Sequence, residues 1–98
     1  MSFFLSFTST AKEELKELKD SPHFEKRFKA VSKALKYLQK NPRHPSLQTH
    51  KFTSLSGLNG EEVFEAYAEQ NTPAAYRIFF FYGKSRGEIV IIAITQHP

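Results

Sequence analysis

The chain contains no cysteine, which excludes a disulfide framework and any thiolate metal site. Its longest apolar run, Ile89 to Ile94, falls far short of the roughly 20 residues needed to cross a bilayer. No signal-peptide pattern opens it: Phe3-Phe4-Leu5 is too short for an apolar segment, and the basic residues follow it rather than precede it. The expectation is a cytoplasmic protein with no membrane partner. Also missing are a phosphate-binding glycine loop, an HExxH pair, paired catalytic aspartates and a Ser/His/Asp set. His44, His50 and His97 lack the spacing of zinc ligands, so no metal and no other cofactor is expected. The most informative absence is of acid. From Lys26 to Gly60 there is no Asp or Glu, against eight basic residues: Lys26, Arg27, Lys29, Lys33, Lys36, Lys40, Arg43 and Lys51.

What is present points to one small domain spanning residues 1–98. Hydrophobic residues make up 40 % of the chain and ten are phenylalanine, enough for a compact core and against disorder. The net charge of +4 hides an asymmetry: residues 1–51 hold eleven basic and five acidic side chains (+6), and residues 52–98 hold three and five (−2). A basic, acid-free stretch attracts a polyanion, either a nucleic acid or an acidic protein segment. Lys33, Lys36, Lys40 and Arg43 are therefore candidate RNA contacts, with a plain solvated helix face as the alternative.

Periodicity gives the order of elements. Phe3, Leu5 and Phe7 alternate with Phe4, Ser6 and Thr8 as a first strand. Thr10 with Glu13 is a capping-box pair, opening a helix to about Asp20 with Ala11, Leu15 and Leu18 on one face. Ser21-Pro22 restarts a helix whose apolar stripe is Phe24, Phe28, Val31, Leu35 and Leu38, with the lysines largely off it. Pro42 and Pro45 end that helix, and a polar loop is expected to run to Gly60. Glu62–Gln70 reads as a strand with Phe64, Ala66 and Ala68 on one side and Glu65, Tyr67 and Glu69 on the other. Ala75–Tyr82 and Glu88–Thr95 follow as a hairpin around Gly83-Lys-Ser-Arg-Gly87. These elements amount to an α+β fold: a two-helix hairpin on a mostly antiparallel, four-stranded sheet, in the order β-α-α-β-β-β.

The C-terminal hairpin carries the chemistry. Arg77 is the one charge among seven uncharged, mostly aromatic neighbours, an unfavourable position unless its guanidinium reaches solvent, a carboxylate or a phosphate. The expectation is a phosphate ligand opening onto a shallow groove with His97 and the His50-Lys51 loop nearby, so that Arg77→Ala costs little folding stability; the alternative is an ion pair with Glu62, Glu65 or Glu69. His97 ends the adjacent strand and can reach the same surface, unless the tail is inert. His44, His50 and Lys51, from the loop before the second strand, supplement the pair. Cleavage of RNA by its own 2′-hydroxyl requires a base, a cation for the equatorial phosphate charge and an acid for the leaving oxygen. Histidine serves either proton role and arginine serves the charge.

Three segments resemble the RelE/ParE toxin superfamily of bacterial toxin–antitoxin systems. They are Pro45-Ser-Leu-Gln-Thr-His50-Lys51 with Leu55-Ser-Gly57, Ala75-Tyr-Arg77-Ile-Phe-Phe, and Glu88-Ile-Val-Ile-Ile-Ala-Ile running to Gln96-His97-Pro98. The resemblance implies ribosome-dependent, metal-independent cleavage of mRNA, with the transition-state arginine at Arg77, the C-terminal histidine at His97, and a basic loop near His50 and Lys51. It implies as partners the ribosome, mRNA and a cognate antitoxin with an acidic, amphipathic segment, and DNA only indirectly through that antitoxin. Alternatives within the superfamily are a ParE-like inhibitor of DNA gyrase and a degenerate, non-catalytic member. The chain departs from the family at three places. Pro98 follows the tail histidine where some members have tyrosine, Glu65, Tyr67 and Glu69 stand where others have lysines, and the loop around Arg43, His44 and Pro45 has no glutamate.

Overall fold

The computed structural model describes residues 2–97; Pro98, where the sequence departs from the family's tail, lies outside them. The elements are β1 (Phe4–Phe7), α1 (Ser9–Asp20), a 3₁₀ turn (Pro22–Phe24), α2 (Glu25–Lys40), a second 3₁₀ turn (Pro45–Leu47), β2 (His50–Ser56), β3 (Glu62–Tyr67), β4 (Tyr76–Tyr82) and β5 (Glu88–Gln96). Five strands form one sheet in the order β1-β5-β4-β3-β2. β1 runs parallel to β5, and every other neighbouring pair is antiparallel. The α+β class and the helix pair are as expected, but the strand count is five and not four. The added strand is β2, in the stretch expected to be loop.

β2 escapes a periodicity search for a physical reason. It is an edge strand, and of its seven residues only Phe52 is even half-buried. An edge strand with one face in solvent needs no period-2 apolar pattern, because its hydrogen bonds to β3 hold it in place. The register shifts between Lys51 and Ser56 blur the pattern further.

The helices form near where the sequence places them, with two shifted starts. Ser21-Pro22 opens a 3₁₀ turn to Phe24 without a side-chain cap from Ser21, and α2 itself begins at Glu25. α1 begins at Ser9, and its cap is Thr8, whose Oγ1 accepts from the Ala11 N–H at 3.2 Å; the Thr10–Glu13 pair lies inside the helix. On α2, Val31, Ala34, Leu35 and Leu38 are buried, while Phe24 and Phe28 pack half-buried against the core at its rim. Lys29, Lys33, Lys36 and Lys40 are exposed. The core lies between this helical layer and one sheet face, where Ala66, Ile78, Phe80, Ile89, Ile91 and Ile94 are buried. Each of these Ile and Phe side chains contributes about 1.5–3 kcal/mol by leaving water.

A bulge in β5 decides what faces outward. Phe79 pairs with Ala93 but Phe80 pairs with Ile91, so Ile92 is the extra residue. The buried positions accordingly step from Ile89 and Ile91 to Ile94, three residues on. Unbroken alternation would send residues 93, 95 and 97 toward the helices. The bulge reverses that parity and turns Thr95 and His97 to the uncovered face.

The same bulge leaves the Ile94 N–H aimed at α1, where Glu14 Oε1 accepts it at 2.8 Å. Burial pushes the Glu14 carboxyl above its ordinary value, against the lowering effect of the Ile94 N–H and with some help from Glu17. A carboxyl raised in the folded state holds its proton more tightly there than in the unfolded chain. Its charge thus opposes folding above the folded value, and that opposition is relieved as pH falls toward the ordinary carboxyl range. Glu14→Gln, which keeps an acceptor without the charge, should melt at or above the parent at pH 7, with the gap closing toward pH 4. Glu14→Leu leaves the N–H unpaired and should cost about 1–3 kcal/mol. Equal losses for Gln and Leu in thermal melts would show that the hydrogen bond is not what Glu14 supplies.

Candidate active site

On the sheet face away from the helices, Val63, Glu65 and Tyr67 of β3 lie beside Arg77, Phe79 and Phe81 of β4. This follows from the pairing of Glu65 with Phe79 and of Tyr67 with Arg77. Glu65 is the centre of the site. Its carboxylate is 1 % exposed and is the only buried charged residue among those described. His50, at the start of β2 and directly opposite Glu65 in register, places Nε2 2.8 Å from Glu65 Oε1. His97, one residue past β5, reaches over the sheet to place Nδ1 2.5 Å from Glu65 Oε2. Arg77 Nε lies 3.7 Å from that same Oε2. A buried carboxylate costs several kcal/mol in desolvation, and these three partners offset it.

The partners are not equivalent. His50 faces an acceptor on each side, since Nδ1 lies 2.8 Å from the Gln48 carbonyl oxygen. With Glu65 as a carboxylate, both contacts are satisfied together only when both ring nitrogens carry hydrogen. His97 uses only Nδ1 among the described residues, so its Nε2 is unengaged, and the side chain is 53 % exposed. A half-exposed imidazole oriented through one nitrogen by a buried carboxylate, with the other nitrogen free, is the arrangement that general acid–base chemistry uses.

Arg77 is not open to a groove as its sequence context suggested. Its side chain is only 14 % exposed. The guanidinium carbon sits 3.8 Å from the centre of the Tyr67 ring, and Nη1 donates to the carbonyl oxygens of Glu69 (2.8 Å) and Tyr76 (3.3 Å). Nε is fully buried with no hydrogen-bond partner among the described residues. The ion-pair reading is therefore realised, with Glu65 as the carboxylate, and among the described residues Nη2 is the edge without a bond. Glu69 is taken by Arg27 of α2 (2.8 Å) and by the Tyr76 N–H (3.0 Å). That network ties the helix to the β3–β4 connection.

The candidate RNA contacts divide into two groups. Arg43, His44, His50 and Lys51 line one groove of about 510 Å³ with Phe64 and Tyr82. His44 is held there by stacking on Tyr37 at 3.9 Å and by accepting the Ser46 N–H at Nδ1, and Lys51 pairs with Glu62 at 3.2 Å. Lys33, Lys36 and Lys40 stand apart from that groove, exposed on α2, with Lys33 Nζ 5.7 Å above the Tyr37 ring. His23 is exposed. A second groove, about 780 Å³, opens on the sheet face between Phe52, Phe79, Ala93 and His97. Among the described residues no group of three or more histidines and acids has the arrangement to hold a metal ion, and no helix is long and apolar enough to cross a membrane.

Two residues of the site were not singled out from sequence, Glu65 and Tyr67. The available signal was the isolated Arg77, which required a carboxylate, and the alternation that sets Glu65 and Tyr67 on one face of β3. Sequence did not rank Glu65 above Glu62 and Glu69.

No family model and no curated protein matches this chain by sequence. By structure it is similar to a YoeB/ParE toxin from Agrobacterium tumefaciens, at 11 % identity and a TM-score of 0.71, covering 96 % of this chain and 98 % of that one. It is similar to YoeB from Staphylococcus aureus, solved as a dimer, at 17 % identity and 0.65, with both chains covered completely. A chain of the archaeal RelE–RelB complex from Pyrococcus horikoshii OT3 matches at 14 % identity and 0.65, covering 98 % of this chain and 96 % of that one. At such identities the likeness is one of architecture alone: this chain shares the fold of these solved toxin chains.

Proposed function

We propose that this chain is a single-domain toxin of a type II toxin–antitoxin system, acting in the cytoplasm as a metal-independent endoribonuclease on mRNA held by the ribosome. The observation that carries the reading is the buried Glu65 bonded to two half-exposed histidines with Arg77 behind it. In this reading His97 Nε2 exchanges a proton with the reacting 2′-hydroxyl or the leaving 5′-oxygen, and Glu65 fixes its ring. His50, whose two nitrogens are both engaged, braces the other oxygen of Glu65. Arg77 holds Glu65 in place and offers Nη2 to the developing charge. Arg43, His44 and Lys51 carry flanking phosphates, and Lys33, Lys36 and Lys40 form a separate basic surface for ribosomal RNA or for an antitoxin's acidic segment. A structural neighbour solved as a RelE–RelB complex supports a protein partner of that kind; DNA enters only through the antitoxin.

Expression in a susceptible host tests the reading against inhibition of gyrase. A nuclease arrests translation and leaves mRNA cut within codons on ribosomes, with DNA supercoiling untouched. Intact mRNA with damaged DNA would replace the nuclease by a gyrase poison. A harmless protein would leave a domain that only binds.

A further inference from the structure

β5 loses its strand neighbour on one side partway along. β1 pairs with it only as far as Phe7 opposite Ile91, and the Thr8 N–H closes that ladder on the Ile91 carbonyl oxygen at 3.0 Å. Beyond this point lie the extra residue Ile92 and the run to His97, and there α1 takes the place of a strand. Thr8 Oγ1 donates to the Ile92 carbonyl oxygen at 3.2 Å, while Glu14 Oε1 accepts the Ile94 N–H at 2.8 Å. The two contacts bracket Ala93, and both side chains come from the start of one helix, Thr8 as its cap and Glu14 from its second turn. Glu14 is half-buried and has no part in the chemistry proposed above.

Without the extra residue, Ala93, Thr95 and His97 would point toward the helices and Ile94 toward the uncovered face. Burial of Ile94 opposes that slip, whereas an unpaired Ile94 N–H in the bulged register would favour it. The two effects are of similar size, so an acceptor at Glu14 decides between the registers. We propose that Glu14 is a positioning residue for His97: by holding the Ile94 N–H, with Thr8 on the Ile92 carbonyl, it keeps the bulge in β5 and the imidazole over Glu65. The consequence for cleavage rests on the nuclease reading; the geometry does not.

The test compares Glu14→Leu and Glu14→Gln with the parent by NMR and by cleavage of ribosome-bound mRNA. In the parent the His97 and Phe52 rings, 5.8 Å apart at their centroids, should give nuclear Overhauser contacts, and the Ile94 amide should exchange slowly. Glu14→Leu should lose both signals while staying folded, and should cut about 10²-fold more slowly, the effect of misplacing a reacting group by about 1 Å. Glu14→Ala, which removes the acceptor without adding an apolar chain, should behave in the same way. Glu14→Gln keeps the acceptor and should match the parent in all three readouts. Val31→Ala, a buried change on α2, which packs on β4, should lower the melting temperature at least as much as Glu14→Leu yet keep the ring contacts and the slow amide. Intact ring contacts in Glu14→Leu or Glu14→Ala would reduce Glu14 to a staple between helix and sheet and overturn the proposal. So would their loss in Glu14→Gln or Val31→Ala. Loss of the contacts in Glu14→Leu, with a parent that cuts no mRNA, would uphold the positioning role while the nuclease reading fails.

Discussion

His97→Asn should reduce mRNA cleavage on ribosomes by about 10²–10⁴-fold, the usual contribution of one proton-transfer group, while leaving the melting temperature close to the parent's. The two parts of this outcome have different causes. Asparagine can keep an N–H near the place of His97 Nδ1, so Glu65 Oε2 retains its donor and no buried carboxylate oxygen is left unpaired. It has no nitrogen that exchanges a proton near neutral pH, so the chemistry at the position of Nε2 is lost. His97→Ala removes both and should add a stability loss of about 1–3 kcal/mol for the unpaired oxygen. Primer extension on ribosome-bound mRNA measures the first effect, and calorimetry or circular dichroism the second. Cleavage at the parental rate by His97→Asn would remove His97 from the proton-transfer role.

How much of this site the sequence disclosed depends on which kind of signal each residue gave. The α2 stripe was legible because Val31, Leu35 and Leu38 recur at helical spacing and all face the sheet. Arg77 was legible because a lone charge among Phe and Ile must be explained. β2 was not, since a strand at a sheet edge has no apolar period to display. The position of His97 was only half legible. Its place at the end of β5 follows from the sequence, but its orientation depends on the bulge at Ile92. In a run reading Ile-Val-Ile-Ile-Ala-Ile, nothing marks where one residue is extra. Glu65 stood among three candidate partners of Arg77. The choice was settled by cross-strand geometry: Glu65 lies opposite His50, and Glu69 is occupied by Arg27 and the Tyr76 N–H. The loop that lacks a glutamate does not deprive the site of a carboxylate, because β3 supplies one.

The burial of Arg77 reverses one expectation about stability. Seen from sequence, Arg77→Ala should have removed a phosphate ligand and little else. In the fold it also leaves Glu65, 1 % exposed, with half-exposed histidines alone to balance it, and strips the cation from the Tyr67 ring and from the Glu69 carbonyl. Breaking one side of a buried ion pair in this way costs about 3–5 kcal/mol, a large share of the roughly 5–15 kcal/mol that holds a small domain together. Glu65→Gln also destabilises, by leaving the guanidinium without its counter-charge. The double variant Arg77→Ala/Glu65→Gln lacks both charges, so neither remains buried and unpaired. Its loss should fall short of the summed single losses by at least about 1 kcal/mol, as expected for contacting groups. Cleavage should be abolished in all three when assayed below their melting temperatures, because the charge that stabilises the phosphate or the group that orients His97 is gone. Denaturant titrations of the four proteins give the coupling directly. Strictly additive losses would mean that Arg77 and Glu65 do not support one another at 3.7 Å, and a fully active Arg77→Ala would confine that arginine to a structural role.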